Sequence, residues 1–187
     1  MQRLHLASLA MAAACGSPGN AGSDATTTTA DAPAGSNTIT GAIGGTGFNV
    51  VMSTYWIGAP DSPSTDTVLY MFDHVVMCGQ ITNAGWDTGL PTGTQILEMK
   101  LVGKAANTYP NTTAATRIPA PGESLSSYTV AAAGATDMVA SGGSVTLATI
   151  ETPSAGNFAI GAFHITFPTG SLDGKFDAPF CAAGREP

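Results

Sequence analysis

From residue 38 onward apolar and polar positions recur with a period of two rather than 3.6, which predicts strands. The C-terminal third is clearest. Phe163, Ile165 and Phe167 project to one face of a strand over 157–167, with Ala162, His164 and Thr166 opposite. After a turn at Pro168-Thr169-Gly170, Leu172, Gly174, Phe176 and Ala178 share the apolar face of a strand over 172–180. Asp173, Lys175 and Asp177 alternate on its other face. Upstream, 38–43 reads as a short strand, turned by Gly44-Gly45-Thr46-Gly47. Residues 48–57 are rich in β-branched and aromatic side chains, and 67–72 forms the next strand. Residues 94–102 alternate only in part, because Gln95, Glu98 and Lys100 do not share one face. Further strands fall at 125–132 and 144–150, where Val145 and Leu147 share a face and Ile150 lies opposite. The stretch 78–87 is irregular enough to hold a turn of helix. Residues 103–123, with Pro110, Pro119 and Pro121, read mostly as loop. About eight short strands with Gly and Pro turns and no helical interludes predict an all-β fold. Its expected architecture is an antiparallel β-sandwich or flattened barrel over 38–187.

The start of the chain follows a different pattern. Arg3 precedes a short apolar run, Leu4 to Ala14, that ends in small residues before Cys15. That is the pattern of a secretory signal over 1–14, too short to span a bilayer as a helix. Residues 16–37 hold no aromatic and no large aliphatic side chain, so nothing offsets the entropy of ordering them. As a flexible coil these 22 residues reach about 25 Å, enough to hold a domain clear of lipid headgroups.

Ala12-Ala13-Ala14-Cys15 resembles the lipobox of bacterial lipoproteins. The resemblance implies a diacylglyceryl group on the Cys15 thiol and Cys15 as the mature N-terminus, with palmitate-type acylation. The family usually carries Leu where this chain has Ala12. Ala-Ala-Ala equally fits an ordinary signal peptide cleaved near Ala14, which would give a secreted or periplasmic protein. Gly16 after the Cys is similar to the sorting pattern of outer-membrane lipoproteins. The ending Gly174-Lys175-Phe176-Asp177-Ala178-Pro179-Phe180-Cys181, with 144–147 and 161–167, is similar to the C-terminal hairpins of small β-sandwich lipoproteins of Gram-negative, myxobacteria-like bacteria. That resemblance covers about a quarter of the chain. It implies an architecture and no activity.

Cysteine arithmetic fits this placement. With Cys15 acylated, Cys78 and Cys181 remain for a disulfide in an oxidising compartment; the alternative is two buried thiols. The bridge would close a loop of about 100 residues, worth about 4–5 kcal/mol by chain entropy. There is no C-x-x-C, and His5, His74 and His164 are isolated, which argues against structural zinc.

Composition narrows the function classes. The 187 residues carry 6 Lys+Arg against 13 Asp+Glu, a net charge of −7, with only 10% charged side chains. Scattered cations on an acidic chain exclude a nucleic-acid binder, which needs clustered Lys and Arg. Low charge argues against long surface helices, while 43% hydrophobic residues supply a core. No G-x-S-x-G, H-E-x-x-H, P-loop or G-x-G-x-x-G is present, so no enzyme class, cofactor or metal is expected. Adjacent Asp73 and His74 would point to opposite faces of a strand unless a bend intervenes. Asp173 and Asp177 do not have EF-hand spacing. Trp86 in Gly85-Trp86-Asp87 either plugs one end of the sandwich near Cys78 or is presented with Asp87 to a ligand. Asn111-Thr112-Thr113 is a glycosylation sequon by pattern only.

These readings converge on a lipid-anchored envelope module without enzymatic activity, held at the membrane through its N-terminal lipid and either binding an envelope protein or glycan or serving a structural role. The rival reading is a small-ligand or glycan binder, or a hydrolase, using Trp86 and Asp87. Oligomeric state is not encoded in any pattern of the chain.

Overall fold

The computed structural model of the chain describes residues 37–56, 67–81, 86–113, 119–133, 135–151 and 156–181, with only the backbone at 52–56. The expected signal, Cys15 and all of the expected tether but Asn37 lie outside the described residues; Asn37 belongs to the domain instead, buried and accepting from the Asp177 amide through Oδ1 at 2.7 Å. Eleven strands are present among those described. They are β1 (Thr38–Ile43), β2 (Thr46–Gly47), β3 (Met52–Trp56), β4 (Thr67–Phe72), β5 (Gln95–Leu101), β6 (Asn107–Pro110), β7 (Ser124–Val130), β8 (Met138–Val139), β9 (Gly142–Ile150), β10 (Phe158–Phe167) and β11 (Gly170–Pro179). The pattern predicts eight of them. The three extra strands are β2, β6 and β8, two to four residues each and too short to show alternation.

Two antiparallel sheets form a sandwich. One runs β2-β1-β11-β10-β9-β6 and the other β3-β4-β5-β7-β8. Between them lies the main core. Leu69 and Met71 of β4, Leu97, Met99 and Leu101 of β5, and Tyr128 of β7 face Val145, Leu147, Phe163, Ile165, Phe167, Leu172 and Phe176 of the six-stranded sheet. Each such side chain, fully buried, contributes about 1.5–3 kcal/mol. The apolar faces predicted for β10 and β11 are the ones buried, and Asp173 and Lys175 are exposed.

Two cross-strand pairs explain the glycines inside this sheet. Phe163 lies opposite Gly174, and Phe176 opposite Gly161. Each ring lies over the missing side chain of its partner: an added Cβ would come within 2.6 Å of Phe163 at Gly174 and 2.5 Å of Phe176 at Gly161. Ile150 departs from the alternation. The register between β9 and β10 jumps from Ile160↔Thr149 to Gly161↔Leu147, leaving Ala148 as an extra residue. This bulge turns the strand by one side-chain position, so Ile150 packs against the core instead of lying opposite Leu147.

The five-stranded sheet is also covered on its outer face. All six residues of β4 are buried. Val68, Tyr70 and Phe72 point away from the main core and join Ile96 and Ala131 in a second cluster. The segment between β4 and β5 supplies the cover, placing Val76, Ile81 and Leu90 in that cluster with Trp86 packed against it. It includes two 3-10 turns, Cys78–Gln80 and Trp86–Gly89. Its ends are tied to the sheet. The Asp73 carboxylate accepts from the Gln95 amide at 2.7 Å, and the Gly93 amide donates to the Ala131 carbonyl at 2.7 Å. A Cys78–Cys181 disulfide, with Cα atoms 5.5 Å apart, fastens its middle to the end of β11.

Candidate functional site

The outer face of the five-stranded sheet is only partly covered, and a groove opens beside the cover. Antiparallel register builds its floor. Tyr70, Glu98 and Ser127 form one row across β4, β5 and β7, while Phe72, Ile96 and Thr129 form the next. The first row is knitted through one carboxylate. Tyr70 donates its hydroxyl to Glu98 Oε1 at 2.9 Å, and Ser127 donates to Oε2 at 3.3 Å. Lys100 Nζ lies 3.3 Å from the same Oε1. In the second row the Thr129 hydroxyl donates to Asp137 Oδ1.

The cover segment supplies the wall. Trp86 meets Tyr70 edge-on at 5.3 Å and Phe72 at 5.8 Å, and Asp87 follows it in the same 3-10 turn. Such edge-to-face contacts stabilise by about 0.5–1.5 kcal/mol each beyond the area buried. The indole Nε1 is buried and has no hydrogen-bond partner among the described residues. An unsatisfied buried donor costs about 1–3 kcal/mol, a strain placed at the groove wall. The cavity so enclosed measures about 170 Å³ and is lined by Tyr70, Trp86, Asp87, Ile96, Glu98, Ser127, Thr129 and Asp137. Tyr70, Trp86 and Ile96 supply its apolar lining, and three carboxylates, Asp87, Glu98 and Asp137, share the cavity. A second, more open hollow of about 330 Å³ lies over β1, β10 and β11, next to Thr40 and Lys175.

Trp86 lies on the outer face of the five-stranded sheet rather than at an end of the sandwich; it packs against the second cluster and, with Asp87, lines the groove. The sequence did not point to Tyr70, Glu98, Ser127, Thr129 or Asp137. Glu98 left one trace, a charge near the middle of a strand on the same face as Lys100, both half-buried. The other four are ordinary polar or aromatic strand and loop residues whose convergence depends on register.

The remaining candidates resolve as follows. A bend after Phe72 brings His74 Nδ1 to 2.7 Å from Asp73 Oδ1, so these neighbours meet instead of diverging. His164 is exposed and pairs with Asp173 across β10 and β11 at 2.6 Å. Among the described residues no three His, Cys, Asp or Glu side chains gather to hold a metal ion. Asn111 of the sequon is buried; its Oδ1 accepts from the Ser124 hydroxyl at 3.1 Å and the Ser126 hydroxyl at 2.7 Å. A glycan cannot be carried there in the folded chain. Tyr128 is the one described group with a displaced pKa: burial, and secondarily the Asp73 carboxylate, raise it above the ordinary 10.0. Its hydroxyl donates to Gln95 Oε1 at 2.9 Å, on the core side of the sheet and away from the groove.

No family model, curated protein or solved structure matches this chain.

Proposed function

We propose that this chain is a cell-envelope lipoprotein, anchored through an acylated Cys15, whose β-sandwich is a non-enzymatic binding module. The groove on the outer face of the five-stranded sheet is its ligand site. The observation that carries this reading is the lining: an aromatic wall, Trp86 over Tyr70, facing the polar groups of Asp87, Glu98 and Asp137 in one cavity. Concave sites with apolar walls and a few convergent polar groups are the usual form of small-ligand pockets. Support for binding over catalysis comes from the hydrogen bonds. Both oxygens of Glu98 and one of Asp137 are taken by fixed partners of the wall, which suits orientation more than proton transfer. Support for the anchor comes from the small residues before Cys15 and the polar stretch 16–37.

Two measurements test the reading. The intact mass of membrane-extracted protein should begin at Cys15, carry acyl chains and lie two hydrogens below the reduced mass. A bare soluble chain defeats the anchor. Calorimetric titration with a panel of saccharides, amino acids and amines should find a ligand whose binding Trp86→Ala removes while strand content is retained. Undiminished binding by that variant places the site elsewhere.

A further inference from the structure

We infer that the groove recognises a positively charged nitrogen group, an alkylammonium or guanidinium, and so deepens the small-ligand reading on which it rests. The cavity itself is the starting point. About 170 Å³ is room for a small head group, and its aromatic wall is the half-buried Trp86, packed against the buried Tyr70. Aromatic rings favour cations over neutral groups of the same size.

The hydrogen-bonding capacity left inside points the same way. The Tyr70 and Ser127 hydroxyls give their protons to Glu98, and the Thr129 hydroxyl gives its proton to Asp137. The Trp86 N–H is buried away from the surface. The described side chains of the lining thus offer a ligand mainly lone pairs, on Asp87, Glu98, Asp137 and the Ser127 and Thr129 oxygens. A ligand must bring the donors. Among the described residues the three carboxylates are offset by one cation, Lys100 on Glu98, so these groups keep a negative balance. A hydroxyl-rich ligand could supply donors and pack a C–H face on the indole, but it would forgo the charge. Ammonium and guanidinium groups use all three features.

The test is calorimetric titration of the full-length chain with four probes. N-acetyl-arginine amide stands for a side chain of a protein partner, and putrescine for a free diamine. N-acetyl-citrulline amide is the neutral isostere, and N-acetylglucosamine a saccharide. Arginine amide or putrescine should bind at least about tenfold more tightly than the citrulline probe, and weaken as salt is raised. The stronger of the two identifies the source. Asp87→Asn and Asp137→Asn, which keep an acceptor oxygen, should each weaken the cation by about threefold to tenfold without shifting the melting temperature. Equal binding of the arginine and citrulline probes overturns the inference. Binding of the saccharide alone overturns it too, yet leaves the small-ligand reading standing. No binding by any probe, or by the wider panel, removes both.

Discussion

Inside β10 and β11 single atoms decide stability. A Cβ at Gly174 would sit 2.3 Å from the Thr38 carbonyl oxygen and 2.6 Å from the Phe163 ring; one at Gly161 would sit 2.0 Å from the Thr146 oxygen. Backbone cannot yield as a side-chain tip can. Gly174→Ala should therefore cost at least about 2 kcal/mol in urea unfolding. Gly142→Ala, in β9 of the same sheet with nothing within 4 Å, should change it by less than about 0.5 kcal/mol. The periodicity identified Gly174 as core-facing, but the reason for a glycine there lies in the opposite Phe163, which only register reveals. Tyr128 gives a prediction in pH. Its folded pKa is raised, so below the ordinary 10.0 both folded and unfolded chains hold the proton and stability is flat. Above that value the unfolded chain loses the proton first, and the stabilisation is lost as pH rises through the folded value. Thermal unfolding followed from about pH 8 to about pH 11 should fall more steeply for the native chain than for Tyr128→Phe.

Among the elements, the cover between β4 and β5 is the part most exposed to mutation and least legible in advance. Trp86→Ala removes its largest packed side chain and should cost about 2 kcal/mol. Amide exchange should accelerate first around Val76, Ile81 and Leu90, with β10 and β11 still protected; uniform acceleration would show instead that cover and sandwich open as one unit. The main strands are readable because one face meets the core and the other meets water. β4 and β5 weaken that signal, since Val68, Tyr70, Phe72 and Ile96 are buried on the far side as well. The cover itself has no period, because Val76, Ile81, Trp86 and Leu90 reach the sheet from 3-10 turns and irregular backbone. β6 hid among prolines: only Tyr109 of its four residues turns inward. The bulge at Ala148 reversed Ile150 for a reason no alternation rule contains. The groove was legible only in Trp86 and Asp87, the two residues on its wall that stand out by type.

At the scale of the whole molecule, the Cys78–Cys181 bridge adds a covalent tie to the hydrogen bonds that join the two sheets, such as Gln95 Nε2 to the Gly47 carbonyl and Ser124 to the Tyr109 carbonyl. Cys78 belongs to the cover of one sheet and Cys181 follows the last strand of the other, 103 residues apart. The pairing could be inferred from a count of three cysteines, but not that it would fasten the wall of the groove. Replacing both with Ser should lower unfolding free energy by about 2–5 kcal/mol. The same variant should bind any groove ligand more weakly, because the segment carrying Trp86 and Asp87 loses its fixed point. Chemical denaturation and ligand titration on the one protein separate the two effects.

The pairing of β1 with β11 sets Thr38 against Lys175. A ribosome or a translocation pore delivers the chain from its N-terminus, so β1 emerges long before the strand it must lie beside. Until β11 arrives, β1 has only the two-residue β2 for company, and β10 is bare along one side. The six-stranded sheet is therefore the last thing to close, whatever order the other strands adopt. A chain stopped before Gly170 should yield no protected core, and a complete one should gain its protection in a single late step. Such a protein is a poor folder while it is still being made, a delay that suits the export proposed for it.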